Sequence, residues 1–170
     1  MHKWMNPIWC SLGSGAFLRD PDVCANLEGF QIWVGFHVTY ENGSYATRHG
    51  HTSLPDRFRD ANGQCLHHEV CIILTDNRKA VPGPRRVELR HLKTVPPKKK
   101  GDWIVIISGE NKGVVAEVVA CKTKTSKAEV DINGMRTAFN FSDICRLTKP
   151  WLEKTLKFVN FSYICNLNYH

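Results

Sequence analysis

The stretch Cys65-Leu66-His67-His68-Glu69-Val70-Cys71, with His49 and His51 upstream, gathers thiols and imidazoles of the kind that hold zinc. Structural zinc sites pair closely spaced cysteines with a second matching pair. Here five residues separate the two cysteines and no second pair answers them. Cys71 opens an apolar run, where a buried thiol is ordinary. No metal site is expected. Nucleophilic catalysis by Cys and His needs a nucleophile, a base and an orienting group that converge, and no local pattern pairs them. Gly13-Ser14-Gly15 lacks both the preceding strand and the Lys-Ser/Thr of a phosphate loop. The residues therefore predict no enzyme, no cofactor and no small-molecule substrate.

Charge is the stronger signal. The 170 residues carry a net charge of +7, and it is unevenly placed. Residues 78–100 hold 9 Lys+Arg against 1 Asp+Glu, whereas residues 1–77 hold 5 against 8. Such a concentrated basic stripe attracts polyanions by releasing their condensed counterions. The alternative is a solvated linker that only resists collapse. No uninterrupted apolar run approaches the ~18 residues of a membrane span, so no membrane partner is expected. Met1 to Pro7 does not read as a secretory signal. The seven cysteines are odd in number and irregularly spaced, which fits a reduced intracellular protein.

The elements that must position these charges read as mainly β. Residues 1–29 are weakly patterned. Residues 30–94 form a divergent β-rich region, or a second partial barrel. Within it, Phe30 to Tyr40 reads as a strand with a bulge at Gly35. Asn42-Gly43 reads as a two-residue hairpin returning through Ser44 to Thr47. Residues 48–67 read as a long loop, Val70 to Leu74 as a strand, Val81 to Pro84 as a turn cluster, and Arg86 to Leu92 as a further strand. Residues 95–100 (Val-Pro-Pro-Lys-Lys-Lys) form a basic linker, extended by its prolines. Residues 101–149 read as five strands: Trp103 to Ile107, Val114 to Ala120, Ala128 to Ile132, Met135 to Phe141 and Ile144 to Leu147, with Asn133-Gly134 as a second hairpin signal. So short an all-β unit must roll up to hide its edges, and a small barrel does that. Residues 150–170 read as a docking helix or a tail.

Gly101 to Val118 (GDWIVIISGENKGVVAEV) resembles the KOW motif, with Ile104, Ile106, Gly109, Lys112, Gly113 and Val118 at matching places. One glycine of the family pattern is Ala116 here. The resemblance is closest to the NusG-type transcription elongation factors, in particular the large subunit of eukaryotic DSIF and its fungal relatives. It implies an SH3-like small barrel over 101–149 with a turn at Gly109, Lys112 and Gly113. It also implies a non-catalytic binding role whose partners are RNA or DNA, and RNA polymerase or other elongation factors, in the nucleus.

Basic residues expected to contact phosphates or a partner are Arg85, Arg86, Arg90, Lys93, Lys98, Lys99 and Lys100 in the stripe, and Lys112, Lys122, Lys124, Lys127 and Arg136 on the barrel. Trp103 should face away from the barrel core if Ile104 and Ile106 face into it. It then either stacks on a base or partner or packs against the N-terminal region. Two other functions stay open: a protein-interaction module with an apolar groove near Trp103, and a ribosome-associated KOW protein, which would be cytoplasmic.

Overall fold

The computed structural model of the chain describes residues 13–27, 29–52, 69–75 and 85–148. A short helix, α1 (Pro21–Cys24), precedes ten strands: β1 (Trp33–Phe36), β2 (His49–Thr52), β3 (Glu69–Thr75), β4 (Arg85–Glu88), β5 (Leu92–Thr94), β6 (Trp103–Ile106), β7 (Val115–Lys122), β8 (Lys127–Ile132), β9 (Met135–Asn140) and β10 (Ile144–Leu147). They form two antiparallel five-stranded sheets, ordered β4-β3-β2-β1-β5 and β10-β6-β7-β8-β9. The chain is mainly β, as the sequence predicts.

The second sheet follows directly from its residues. In β8, Ala128 and Val130 are buried while Glu129 and Asp131 face outward, the alternation of a half-buried strand. Asn133 and Gly134 take φ of 53° and 83°, and Asp131 accepts the Gly134 amide, which makes the tight β8–β9 turn. β7 carries one extra residue between Val118 and Ala120, and the bulge bends it so that one end pairs with β6 and the other with β8. The sheet thereby rolls around Ile104, Ile106, Val118, Val130 and Ile144. A three-residue 3-10 turn, Phe141–Asp143, carries the chain from edge strand β9 to the opposite edge strand β10. So short a join draws the two edges together into a small-barrel-like unit.

The first sheet repeats this plan. Read from its other edge, β5-β1-β2-β3-β4 matches β10-β6-β7-β8-β9 strand for strand. A 3-10 turn, Leu89–His91, again joins the two edge strands. The spacing is the same in both units: Glu88 to Leu92, and Asn140 to Ile144. β1 and β6 each open with a half-buried tryptophan followed by three buried residues. Phe36 pairs with Leu92 as Ile106 pairs with Ile144. The second partial barrel read from the sequence is therefore a unit of the same topology as the first.

The two units are joined edge to edge. β10 bridges residue 32 through Leu147, and the amides of Arg146 and Thr148 donate to the carbonyls of Val95 and Gln31. Cys145 donates its thiol to the Trp33 carbonyl at 3.1 Å. Complete burial pushes that thiol up to about 12, so it stays protonated and acts as a packing group. Val105, Cys145 and Leu147 turn away from their own barrel and join the core around Val34, Phe36 and Ile72. β6 is thus buried on both faces, which accounts for its unbroken apolar run Trp-Ile-Val-Ile.

Several local expectations are corrected. Residues 13–27 are ordered: a 3-10 helix (Gly13–Arg19) and α1 bury Leu18, Val23 and Leu27. Gly15 is a packing glycine, since a Cβ there would lie 2.2 Å from the Leu89 carbonyl oxygen. Asn42-Gly43 does not make a two-residue hairpin. Glu41, Asn42 and Gly43 all take positive φ in a longer turn, and the returning strand is β2, inside the stretch read as loop. Gly35 pairs regularly with His49 and Lys93, so β1 has no bulge. Arg86 to Leu92 is split between β4 and β5 by the 3-10 turn. The basic linker is packed: Val95 and Pro97 are buried, and Cys121 donates to the Pro97 carbonyl. Cys65, His67, His68, the turn at residues 81–84 and the C-terminal segment 150–170 lie outside the described residues.

Candidate nucleic-acid interface

Asp102 shapes the lysine run. Its carboxylate accepts the backbone amides of Lys98 (2.7 Å) and Lys99 (3.2 Å), and its own amide donates to the Lys99 carbonyl. Gly101 then takes φ 85° and donates to Val118 of β7. The result is a closed turn on the barrel surface from which Lys98, Lys99 and Lys100 all project into solvent. These lysines, with Lys93, Lys124, Lys127 and Arg136, form no ion pair with a described residue.

Several cations expected at the interface are engaged within the chain. Lys112, at the tip of the Gly109–Gly113 turn, reaches Asp20 (2.9 Å) and Asp22 (3.0 Å), and these two hydrogen bonds hold its ammonium above the usual lysine range. Beside it, Gly113 has φ 88°, and a Cβ there would lie 2.3 Å from the Asp22 carbonyl oxygen. Asn26 also donates to the Gly113 carbonyl. The turn is thus a clasp for the N-terminal segment. Lys122 pairs with Glu129, and the contact lowers that carboxylate. Arg85 bonds the Tyr45 hydroxyl and lies 5.0 Å from its ring centroid, Arg90 pairs with Glu88 at 2.7 Å, and Arg86 stands 3.8 Å from Glu69. Trp103 packs 5.3 Å from the Phe30 ring, against the N-terminal region.

The remaining cations fall into separate groups. Lys124 and Lys127 sit at one end of the β8–β9 ribbon, and Arg136, opposite Asp131, at the other. Four residue steps of β8 separate these ends, about 13 Å at the strand rise. The third group lies along the seam: Lys93 on β5, Lys98 on the Asp102 turn and Arg146 on β10. Arg146 stacks over Trp33 at 4.6 Å, and Trp33 meets the edge of His51 at 5.7 Å. His49 pairs with Gly35 of β1 and feels all three of these cations. Burial, then Lys98, Arg146 and Lys93, hold its imidazole below the ordinary histidine range.

No protein-family model and no curated protein matches the chain. Among solved structures it is similar to the AGD34 fragment of AGDP1 from Arabidopsis thaliana, at 13% identity and a TM-score of 0.29, over 83% of this chain and 94% of that one. Similarity at that level carries across neither a family nor a ligand.

Sequence reasoning found Lys93 and Lys98 but not their companions. Trp33 lies in a stretch that reads only as a strand, Gly35 reads as a bulge, His49 enters only as a possible zinc ligand, and Arg146 falls in the last strand of the barrel. The available signal was the pair of tryptophan-initiated strands, whose topological equivalence puts Trp33 beside β10.

Proposed function

We propose that the protein is a non-catalytic, KOW-type nucleic-acid-binding factor of the transcription-elongation kind, acting in the nucleus on RNA or DNA beside RNA polymerase. The observation that carries this reading is the set of cations at the seam that form no ion pair with a described residue: Lys93 and the preorganised turn Lys98–Lys100, with Arg146 next to them. Lysines on a fixed turn lose less freedom when they meet a phosphate backbone than lysines on a free tail. The motif from Gly101 to Val118 adds the resemblance to KOW barrels. The alternative, a partner-binding groove at Trp103, is less favoured because Trp103 packs against the Phe30 ring.

The test is binding of a single-stranded oligonucleotide at several salt concentrations. Contacts from these five cations predict a log–log salt slope of about −3.5, at ~0.7 per phosphate contact on a single strand. Replacing Lys98, Lys99 and Lys100 together by Gln should lower the slope by about 2. Affinity that ignores salt, or that the triple substitution leaves unchanged, defeats the proposal.

A further inference from the structure

A glycine in the middle of a strand weakens it, and it usually answers a conformational or packing need. At Gly35 the need is not conformational. Its φ lies outside the positive range, and its register with β2 and β5 is regular. An added Cβ would meet Lys93 methylenes, Cε at 3.1 Å and Cγ at 3.3 Å, and His49 Cδ2 at 3.8 Å. The missing side chain lets the lysine lie across β1 beside His49. Gly35 thus brings Lys93 and His49 together on the outer face of the first sheet, with the Trp33–Arg146 stack on the same strand face.

We propose that this face is a phosphate subsite: Lys93, Lys98 and Arg146 hold one phosphate of a nucleic-acid strand beside His49, which joins them by taking up a proton. The inference rests on the proposed function and assigns it a location and a proton linkage. The groups around His49 are Trp33 and Gly35 on β1, His51 on its own strand, Thr75 on β3, whose hydroxyl donates to the His49 carbonyl, Lys93 on β5, Lys98 on the connecting turn and Arg146 on β10. Asp102, a carboxylate that acts on Arg146, accepts the Lys98 and Lys99 amides. Among the described residues, the charges acting on His49 are those of Lys98, Arg146 and Lys93, all positive, so the free site disfavours imidazolium. A bound phosphate reverses that field. Binding then takes up a proton, and affinity rises as pH falls, by about tenfold for each unit by which the phosphate raises His49.

The experiment follows the His49 ring by NMR through a pH titration of the full chain, with and without inorganic pyrophosphate. Pyrophosphate should raise the His49 midpoint and leave His91, at the Tyr40 end of the sheet, where it was. Gly35→Val suits a strand backbone and pushes Lys93 away from His49, so it should abolish the shift. An unmoved His49 in the unaltered protein, or an equal shift in Gly35→Val, overturns the subsite. A twelve-residue oligothymidylate then separates the two readings. Tighter binding at pH 5.5 than at 7.5, lost in His49→Gln, supports the subsite. Binding that neither Gly35→Val nor His49→Gln alters overturns the subsite and leaves the proposed function standing. A pyrophosphate response without oligonucleotide binding overturns the nucleic-acid reading and supports an anion site.

Discussion

Gly109 and Gly113 bracket the turn that carries Lys112 and have nearly the same backbone, φ 83° and 88°. Any side chain at either position strains a left-handed conformation, at about 1–2 kcal/mol. Their surroundings differ. Nothing lies within 4 Å of a Cβ at Gly109, whereas one at Gly113 meets the Asp22 backbone. Gly109→Ala should therefore cost the backbone strain alone. Gly113→Ala should cost more, because the segment that delivers Asp20 and Asp22 to Lys112 has to shift. Urea unfolding of the two variants reads the difference, and equal losses would mean that the clasp is absent in solution. The motif predicted the left-handed turn. It held no sign that another part of the chain rests on it.

Element by element, legibility tracked side-chain pattern. β8 and β9 were legible because buried and outward residues alternate in β8 and Asn133-Gly134 marks the turn between the two strands. β2 was not legible: its inward positions are Gly50 and Thr52. Gly50 leaves its space to Ile72, whose Cγ2 would lie 2.5 Å from a Cβ there, and the Thr52 hydroxyl accepts the Ile32 amide. A strand whose buried face carries no apolar side chain has no hydrophobic period to read. Its outward positions, His49 and His51, give β2 an acid sensitivity. Burial lowers both imidazoles from 6.5. Below that value the unfolded chain binds more protons than the folded one, so stability rises with pH there. The contribution is complete above about 6.5, the unfolded histidine value, and is lost as pH falls through the lower folded values. The urea midpoint should drop between pH 7 and pH 5, and His49→Gln with His51→Gln should flatten that drop. An equal drop in the double variant would assign the acid sensitivity to other groups.

At the scale of the whole molecule, the two barrels share apolar core and hydrogen bonds. Inter-domain contacts that are small and polar leave domains free to move and to unfold separately. This seam is different: Val105, Cys145 and Leu147 belong by chain position to the second barrel and by packing to the first core. The N-terminal segment adds Lys112 to Asp20 and Asp22 on the same side. The phosphate-facing residues come from both units, with Lys93 and His49 from one and Arg146 from the other, so binding needs the seam intact. Unfolding of one barrel strips the cover from the other, and the two should therefore melt together. Val105→Ala removes two buried methyl groups, about 2 kcal/mol. Native-state hydrogen exchange at Ile72 in β3 and Val130 in β8 reads the consequence in each barrel. Both amides should lose protection by the same amount, because both report one global opening. Loss confined to Val130 would mean that the barrels are independent, and a site assembled across their seam would then have no fixed geometry.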